Sequence, residues 1–141
     1  MKNNKHGLTL LEILAVIALL GLVMSFLGTE IFSKLTRGKT DATRIMIKQL
    51  EQDLDRYRFD CNTYPTTAQG MKALIEAPGE EPTCRSYDPN GYYSGKKKEL
   101  PRDPFDTEFE YTCEDGINYV IKSYGPDKKP GGGDDISSDD E

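Results

Sequence analysis

The 141-residue chain has no tryptophan and a single histidine, His6, which lies within the first seven residues. From residue 8 onward the chain therefore lacks the side chain that Ser-His-Asp sites, Cys-His sites and histidine-ligated metal centres require. Basic residues are also in deficit, because 18 Lys and Arg stand against 24 Asp and Glu and give a net charge of −6. An acidic chain without a basic stripe argues against nucleic acid as a partner.

Apolar residues are concentrated near the N-terminus, where every residue from Ile13 to Leu27 is apolar or glycine except Ser25. About 20 residues of helix cross the hydrocarbon core of a bilayer, and residues 8–27 supply that length. The run fits a cleaved secretory signal, an ordinary anchor or a more specialised segment. Glu12 bears on the choice, because an acid inside a span is usually functional or paired unless it reaches the headgroups at the helix end.

Residues 29–60 continue without proline and carry an apolar stripe at helical spacing. The stripe consists of Ile47, Leu50, Leu54 and Tyr57. The pattern predicts one helix of about 50 residues that is apolar on all sides at first and on one face later. Two helices with a joint at Gly38 are the alternative.

Beyond residue 60, proline and glycine are frequent and indicate a loop-rich module. Residues 67–75 predict a short helix. Residues 108–112 and 117–123 alternate apolar and polar side chains around a Glu-Asp-Gly turn, which predicts a β-hairpin. A hairpin alone is marginally stable, so we expect it to pack on the apolar stripe of the long helix in an α+β fold.

The N-terminal pattern resembles a type IV prepilin signal. A short basic leader ends at Gly7, and Leu8-Thr9-Leu10-Leu11-Glu12 follows before the apolar run. The resemblance implies that a prepilin peptidase cuts after Gly7 and methylates the new amine of Leu8. It also implies that the span stays in the membrane until assembly, when Glu12 of one copy neutralises the amine of a neighbouring copy.

Blocks later in the chain resemble the major pseudopilins of type II secretion. Residues 64–70 (YPTTAQG) are similar to their YPTTxQG block, and residues 100–105 (LPRDPF) are similar to their LPxDPW block. Residues 123–127 and 131–136 are similar to their C-terminal loop. The resemblance implies a pilin-like fold with a long N-terminal helix on a small antiparallel sheet.

The same resemblance implies a function and a set of partners. The chain would polymerise into a helical periplasmic filament that drives export of folded proteins across the outer membrane. Its partners would be further copies of itself, minor pseudopilins, an inner-membrane assembly platform and the prepilin peptidase. A type IV pilin subunit of a surface filament is the alternative.

Four parts follow from this interpretation. Residues 1–7 form the leader, 8–28 the transmembrane and assembly helix, 29–60 the amphipathic helix, and 61–141 the periplasmic loop and sheet module with its acidic C-terminal loop. The protein would cross the bacterial inner membrane once, with its C-terminal domain in the periplasm.

Three cysteines would then lie outside the cytoplasm, where disulfides persist. They show neither CxxC nor metal-like spacing, which argues against a zinc site. Of the three possible pairs we favour Cys61–Cys84, because it would tie the end of the helix to the proline-rich loop. Cys113, in a predicted strand, fits a buried small apolar residue.

The acidic C-terminus is the candidate metal site. Asp127, Asp134 and Asp135 bracket a Lys-, Pro- and Gly-rich segment that can fold back on itself. Calcium takes about 6–8 oxygen ligands from carboxylates, carbonyls and water, whereas a disordered acidic tail has a similar composition. Major pseudopilins bind calcium in the corresponding loop, so the resemblance implies that these three aspartates are calcium ligands.

A membrane-tethered enzyme is the least favoured interpretation. Asp103/Asp106 and Asp139/Asp140 are candidate acid pairs, but acidic residues in loops are usually solvated, and no nucleophile and base accompany them. We therefore expect no catalytic residues.

Overall fold

The computed structural model describes residues 9–95 and 99–140, without the side chains of residues 27–29. The regular elements are helix α1 (Leu10–Cys61) and strands β1 (Glu110–Thr112), β2 (Val120–Ser123) and β3 (Ile136–Ser137), with short 3₁₀ helices at Met71–Leu74 and Gly125–Asp127. The chain divides into two compact units, Met1–Arg37 and Gly38–Glu141.

Helix α1 runs from Leu10 to Cys61, so the prediction of one helix rather than two with a joint at Gly38 is confirmed. No proline interrupts it. At its C-terminal end the N–H of Asn62 donates to the carbonyl of Arg58 at 2.7 Å, and Asn62 adopts a left-handed conformation with φ of 60°. A left-handed residue of this kind commonly ends a helix.

In the first unit the large apolar side chains of α1 that the structure describes are exposed. Leu10, Leu11 and Phe26 expose between 73 and 79 % of their surface. The helix is long and apolar enough to cross a membrane by length and composition.

The second unit has a core built on one face of α1. Leu50, Leu54 and Tyr57 are almost fully buried there and belong to the same cluster as Tyr111 of β1 and Ile121 of β2. The three strands form an antiparallel sheet in the order β1-β2-β3. The predicted packing of a hairpin on the helix stripe is therefore confirmed.

Two local predictions need correction. The helix predicted over residues 67–75 is reduced to the 3₁₀ helix Met71–Leu74, because residues 67–70 form a turn and Gly70, with φ of 60° and ψ of −176°, has a backbone conformation outside the helical region. The sheet also contains β3, which the sequence analysis did not predict. Two residues are too few to show the alternation that marks a strand.

Two interactions hold the proline-rich loop that contains residues 78–84. Cys61 and Cys84 form a disulfide, the pairing that the sequence favoured, and Cys113 is free and buried. In addition, the Gln69 amide donates to the carbonyls of Glu80 and Pro82 at 2.9 and 3.0 Å. The glutamine of the YPTTAQG block therefore holds the segment that leads to Cys84.

Candidate functional site

The first candidate site is the N-terminal end of α1. Gly7 and Leu8 lie outside the described residues. Thr9 precedes the helix, and its hydroxyl oxygen accepts a hydrogen bond from the N–H of Glu12 at 3.2 Å. Thr9 is thus the N-cap, and Thr9 and Glu12 stand at the spacing of a capping box.

The Glu12 side chain is exposed in the first turn of α1. A negative charge is favourable there, because the first turn of a helix carries the positive end of its dipole. Glu12 is also the only charged residue between Thr9 and Thr29. Between Thr9 and Thr29, α1 therefore carries one carboxylate, near its N-terminus, on an otherwise uncharged stretch.

The second candidate site is the loop that joins β2 to β3. Asp127 ends the 3₁₀ helix that follows β2, whereas Asp134 and Asp135 directly precede β3. Because β2 and β3 pair antiparallel, the two ends of the loop meet, and the N–H of Asp127 donates to the Asp134 carboxylate at 3.2 Å. This contact depends on Gly125, where an added Cβ would lie 2.1 Å from the Asp134 carbonyl oxygen.

The three aspartates do not share one centre in this structure. Asp127 accepts from the N–H of Lys129 at 2.9 Å, and Asp135 accepts from the N–H of Gly131 at 3.0 Å. Within residues 9–95 and 99–140, no three His, Cys, Asp or Glu side chains are grouped so that they could hold a metal ion. The structure joins Asp127 to Asp134 by a hydrogen bond, whereas the Asp135 carboxylate bonds to Gly131.

One oxygen in this loop lacks a partner. The Oδ1 atom of Asp135 is buried and has no hydrogen-bond partner in the structure. Buried carboxylate oxygens normally accept a hydrogen bond or bind a cation. The loop therefore contains an acceptor that a cation or a water molecule would satisfy.

The buried carboxylate of Asp103, which in the sequence is only a candidate catalytic acid, supports this loop. Asp103 accepts hydrogen bonds from the N–H groups of Phe105 and Thr107 at 3.0 and 2.8 Å and from the hydroxyl of Ser123, the last residue of β2. Ser123 in turn accepts from the N–H of Gly125 at 3.2 Å. Asp103 is thus linked through β2 to the start of the acidic loop.

The surroundings of Asp103 also determine its charge. Burial opposes ionisation, but the hydrogen bonds from Ser123, Thr107 and Phe105 outweigh it and lower the pKa of Asp103. Asp106, by contrast, is exposed and lies 3.4 Å from Arg102. Asp103 and Asp106 therefore have separate structural partners.

Models of two protein families match this chain, one at its N-terminus and one over most of the remainder. A family model for type II secretion system protein G matches residues 30–139, and a model for the prokaryotic N-terminal methylation motif matches residues 2–28. The chain belongs to the type II secretion system protein G family.

Individual members of the protein G family agree with this assignment. The type II secretion system core protein G of Klebsiella pneumoniae is 36 % identical over 96 % of this chain and 95 % of its own length. The protein of the same description from Dickeya chrysanthemi is 34 % identical over 98 % of this chain and 88 % of its own.

A solved structure extends the agreement to the fold. The crystal structure of the major pseudopilin from the type 2 secretion system of enterohaemorrhagic Escherichia coli matches with a TM-score of 0.65 and 32 % identity. The match covers 76 % of this chain and 91 % of that chain. These findings confirm the predicted family and favour a pseudopilin over a type IV pilin of a surface filament.

Proposed function

We propose that this chain is the major pseudopilin subunit of a type II secretion system and polymerises into a periplasmic filament that drives export of folded proteins. The observation that carries the proposal is the match to protein G relatives over nearly the whole chain. The exposed apolar surface of α1 in the first unit supports it, because such a surface needs a bilayer or other apolar helices around it. We propose no catalytic role.

Processing and location follow from the same proposal. A prepilin peptidase would cut after Gly7 and methylate Leu8, and the match of residues 2–28 to the N-terminal methylation motif supports this step. The protein would cross the inner membrane once and place its second unit in the periplasm. The Cys61–Cys84 disulfide agrees with an oxidising compartment.

In the filament, Glu12 would pair with the Leu8 amine of a neighbouring copy. Its exposure and its position as the only charge between Thr9 and Thr29 support this role. Apolar side chains tolerate sliding, whereas one buried charge pair would favour a single axial register between copies.

We propose calcium as the ligand of the acidic loop, with Asp127, Asp134 and Asp135 as side-chain donors. The oxygen-only donor set and the unpartnered Asp135 oxygen support the choice. In the structure, the carboxylates of Asp127 and Asp135 accept hydrogen bonds from backbone N–H groups of the loop. Calcium binding would replace these hydrogen bonds with bonds to the ion. The bound ion would offset the repulsion among three carboxylates and hold the loop against the sheet.

Complementation tests the proposed function. The chain is expressed in a bacterium that lacks its own protein G gene but retains the minor pseudopilins and the inner-membrane assembly platform. We expect restored filaments and restored secretion. A matched variant, Gly7→Phe, should insert into the membrane, keep its leader and restore neither.

Failure would be informative as well. If the unaltered chain is processed and inserted but yields neither filaments nor secretion, the proposed function is wrong for this chain.

A further inference from the structure

We propose that the Cys61–Cys84 disulfide is a redox-sensitive closure and that this chain can assemble only after these two thiols have been oxidised. We call residues 61–84, whose ends the disulfide joins, the closed loop. The closure keeps this loop on the core of the second unit and keeps the third thiol, that of Cys113, out of reach. The requirement for assembly rests on the proposed function, whereas the protection of Cys113 does not depend on it.

The closed loop supplies core residues but has little regular structure of its own. All of its residues are described, and beyond the end of α1 they contain one regular element, the 3₁₀ helix Met71–Leu74. Its buried side chains include Tyr64, Met71, Ala73 and Leu74. A covalent link between the ends of a loop restricts the unfolded chain and so favours the folded one. The disulfide therefore supports a part of the core that no strand or long helix fixes within this loop.

The closed loop also packs along the segment that carries the third thiol. Thr67 donates from its N–H and its hydroxyl to the Cys113 carbonyl at 2.9 and 3.0 Å, and its hydroxyl accepts from the Cys113 N–H at 2.8 Å. Two residues earlier in both segments, the Tyr111 hydroxyl donates to the Pro65 carbonyl at 2.7 Å. Cys113 exposes only 2 % of its surface. Its thiol therefore stays out of solvent while the closed loop remains in place.

The disulfide end of the closed loop is connected to a second segment. The Cys61 sulfur lies 4.0 Å from the Tyr92 hydroxyl, which donates to the Asp60 carboxylate at 3.0 Å. The same hydroxyl accepts from the N–H of Asp88 at 3.0 Å, and the N–H of Tyr92 donates to the Leu74 carbonyl at 2.7 Å. Tyr92 thus joins the end of α1 to the 3₁₀ helix inside the loop. Loss of the disulfide would loosen these contacts together.

The three thiols differ in access. Cys61 and Cys84 are partly exposed, whereas Cys113 is free and buried. Thiol reactivity depends on exposure. In the folded chain, a reductant or an oxidant can therefore reach the pair but not Cys113.

Oxidation of the pair is a thiol–disulfide exchange. The thiolate of Cys61 or Cys84 attacks a disulfide of the oxidant, forms a mixed disulfide and displaces one thiolate of the oxidant. The thiolate of the other cysteine then attacks the mixed disulfide, forms the Cys61–Cys84 bond and releases the second oxidant thiolate. Two electrons pass to the oxidant, and its two thiolates take up the two protons that the cysteines gave up. The oxidant is a disulfide-bearing protein outside the cytoplasm, where disulfides persist.

A reduced chain would lose more than one bond. The closed loop could then leave Cys113, and three free thiols allow two wrong pairs, Cys61–Cys113 and Cys84–Cys113. Neither wrong pair closes the loop that supplies the core. We therefore expect the reduced chain to be inserted and processed but excluded from filaments.

Removal of the disulfide tests the closure on the full chain in detergent. Cys61→Ser/Cys84→Ser should lower the melting temperature by at least about 10 °C, the scale expected for a native disulfide in a domain of this size. In this variant Cys113 should react with a maleimide at least about tenfold faster than in the unaltered chain, because a covered thiol reacts only when the structure opens. The control Cys113→Ala keeps the disulfide and should lower the melting temperature by less than about 5 °C.

Chemical reduction repeats the test without a substitution. Dithiothreitol should lower the melting temperature of the unaltered chain as much as the double variant does, and oxidised glutathione added after its removal should restore the original value. The double variant should respond to neither reagent. If the double variant does not accumulate, the reduced unaltered chain supplies the comparison. A melting temperature that reduction leaves unchanged, or a Cys113 thiol that reacts equally fast with and without the disulfide, would overturn the closure.

Filament counts in the complemented strain test the requirement for assembly. The double variant should be inserted and lose its leader but give no filaments, whereas Cys113→Ala should give as many as the unaltered chain. Normal filaments from the double variant overturn the requirement and leave the proposed function standing. A lack of filaments from the processed and inserted unaltered chain overturns the proposed function and the requirement together, and the reactivity of Cys113 then still decides the closure.

Discussion

Leu10 and Leu11 in the first unit expose 79 and 78 % of their surface, whereas Leu50 and Leu54, on the same helix in the second unit, expose 1 and 0 %. The residue type and the secondary structure are the same. The second unit covers these leucines with its own sheet and loops, whereas the described leucines of the first unit are exposed. Burial of a leucine is worth about 1.5–3 kcal/mol, so changes in the first unit should affect assembly and changes in the second should affect folding.

The largest expected effect concerns Glu12. Glu12→Ala should leave the protein inserted and the second unit folded but abolish filament formation, because it removes the charge that we propose pairs with the neighbouring amine. Filament counts by electron microscopy and a secretion assay measure the effect.

Glu12→Gln separates charge from capping, since glutamine also satisfies a capping box. If Glu12→Gln assembles normally, the charge-pair role is contradicted and only the capping role remains.

In the second unit, Leu54→Ala should destabilise folding by about 2–5 kcal/mol, because it leaves a cavity in a closely packed core. Chemical denaturation of the full chain in detergent measures this change, and insertion should be unaffected. Ile45→Ala on the exposed face of the same helix is the control and should change the free energy of unfolding by less than about 0.5 kcal/mol. Equal costs for the two variants would contradict the buried position of Leu54.

The contrast between the units was largely predictable from the sequence. A continuous apolar run followed by the stripe from Ile47 to Tyr57 indicates both the helix and the side that packs. The alternation of residues 108–112 and 117–123 likewise indicates the hairpin. These features depend on local periodicity, which a single sequence displays.

Contacts between segments that are far apart in the sequence could not be predicted as well. The two-residue strand β3 exists because Ile136 and Ser137 pair with β2, and no local pattern marks it. In the sequence, nothing distinguishes Asp103 from the other acidic residues. Its hydrogen bond from Ser123, 20 residues later in the chain, forms only in the folded structure. The sequence did indicate a turn at this point, because Asp103 precedes Pro104 and aspartate commonly accepts hydrogen bonds from N–H groups of its own turn. Thr107, four residues later, donates one of these bonds.

Asp103 should make the second unit sensitive to acid. Its pKa is lowered in the folded chain by hydrogen bonds from Ser123, Thr107 and Phe105, against the effect of burial. It therefore contributes stability above its unfolded pKa of about 3.9, and that contribution is lost as pH falls through the folded pKa.

Asp103→Asn should lower the free energy of unfolding at pH 7 by about 2 kcal/mol, since bonds to a charged group are worth about 1.5–3 kcal/mol. The difference from the unaltered chain should shrink below about pH 4. Asp106→Asn, at an exposed position, is the control and should cost little. A difference that does not change with pH would rule out the charged form as the stabilising species.

A smaller effect is expected from the acidic loop. Calcium should raise the melting temperature of the full chain in detergent by a few degrees, about what 1 kcal/mol gives a domain of this size. Asp135→Ala should abolish the rise, whereas Asp139→Ala, outside the loop between β2 and β3, should retain it. Identical melting curves in calcium and in chelator would refute the site.

In the proposed function, the leader before α1 is removed and the exposed apolar part of α1 assembles, while the second unit folds around its own core. The most direct test is the intact mass of the chain recovered from purified filaments. We predict a mass that corresponds to loss of residues 1–7 and addition of one methyl group to Leu8. Filaments that contain the chain with Met1 to Gly7 still attached would contradict the account.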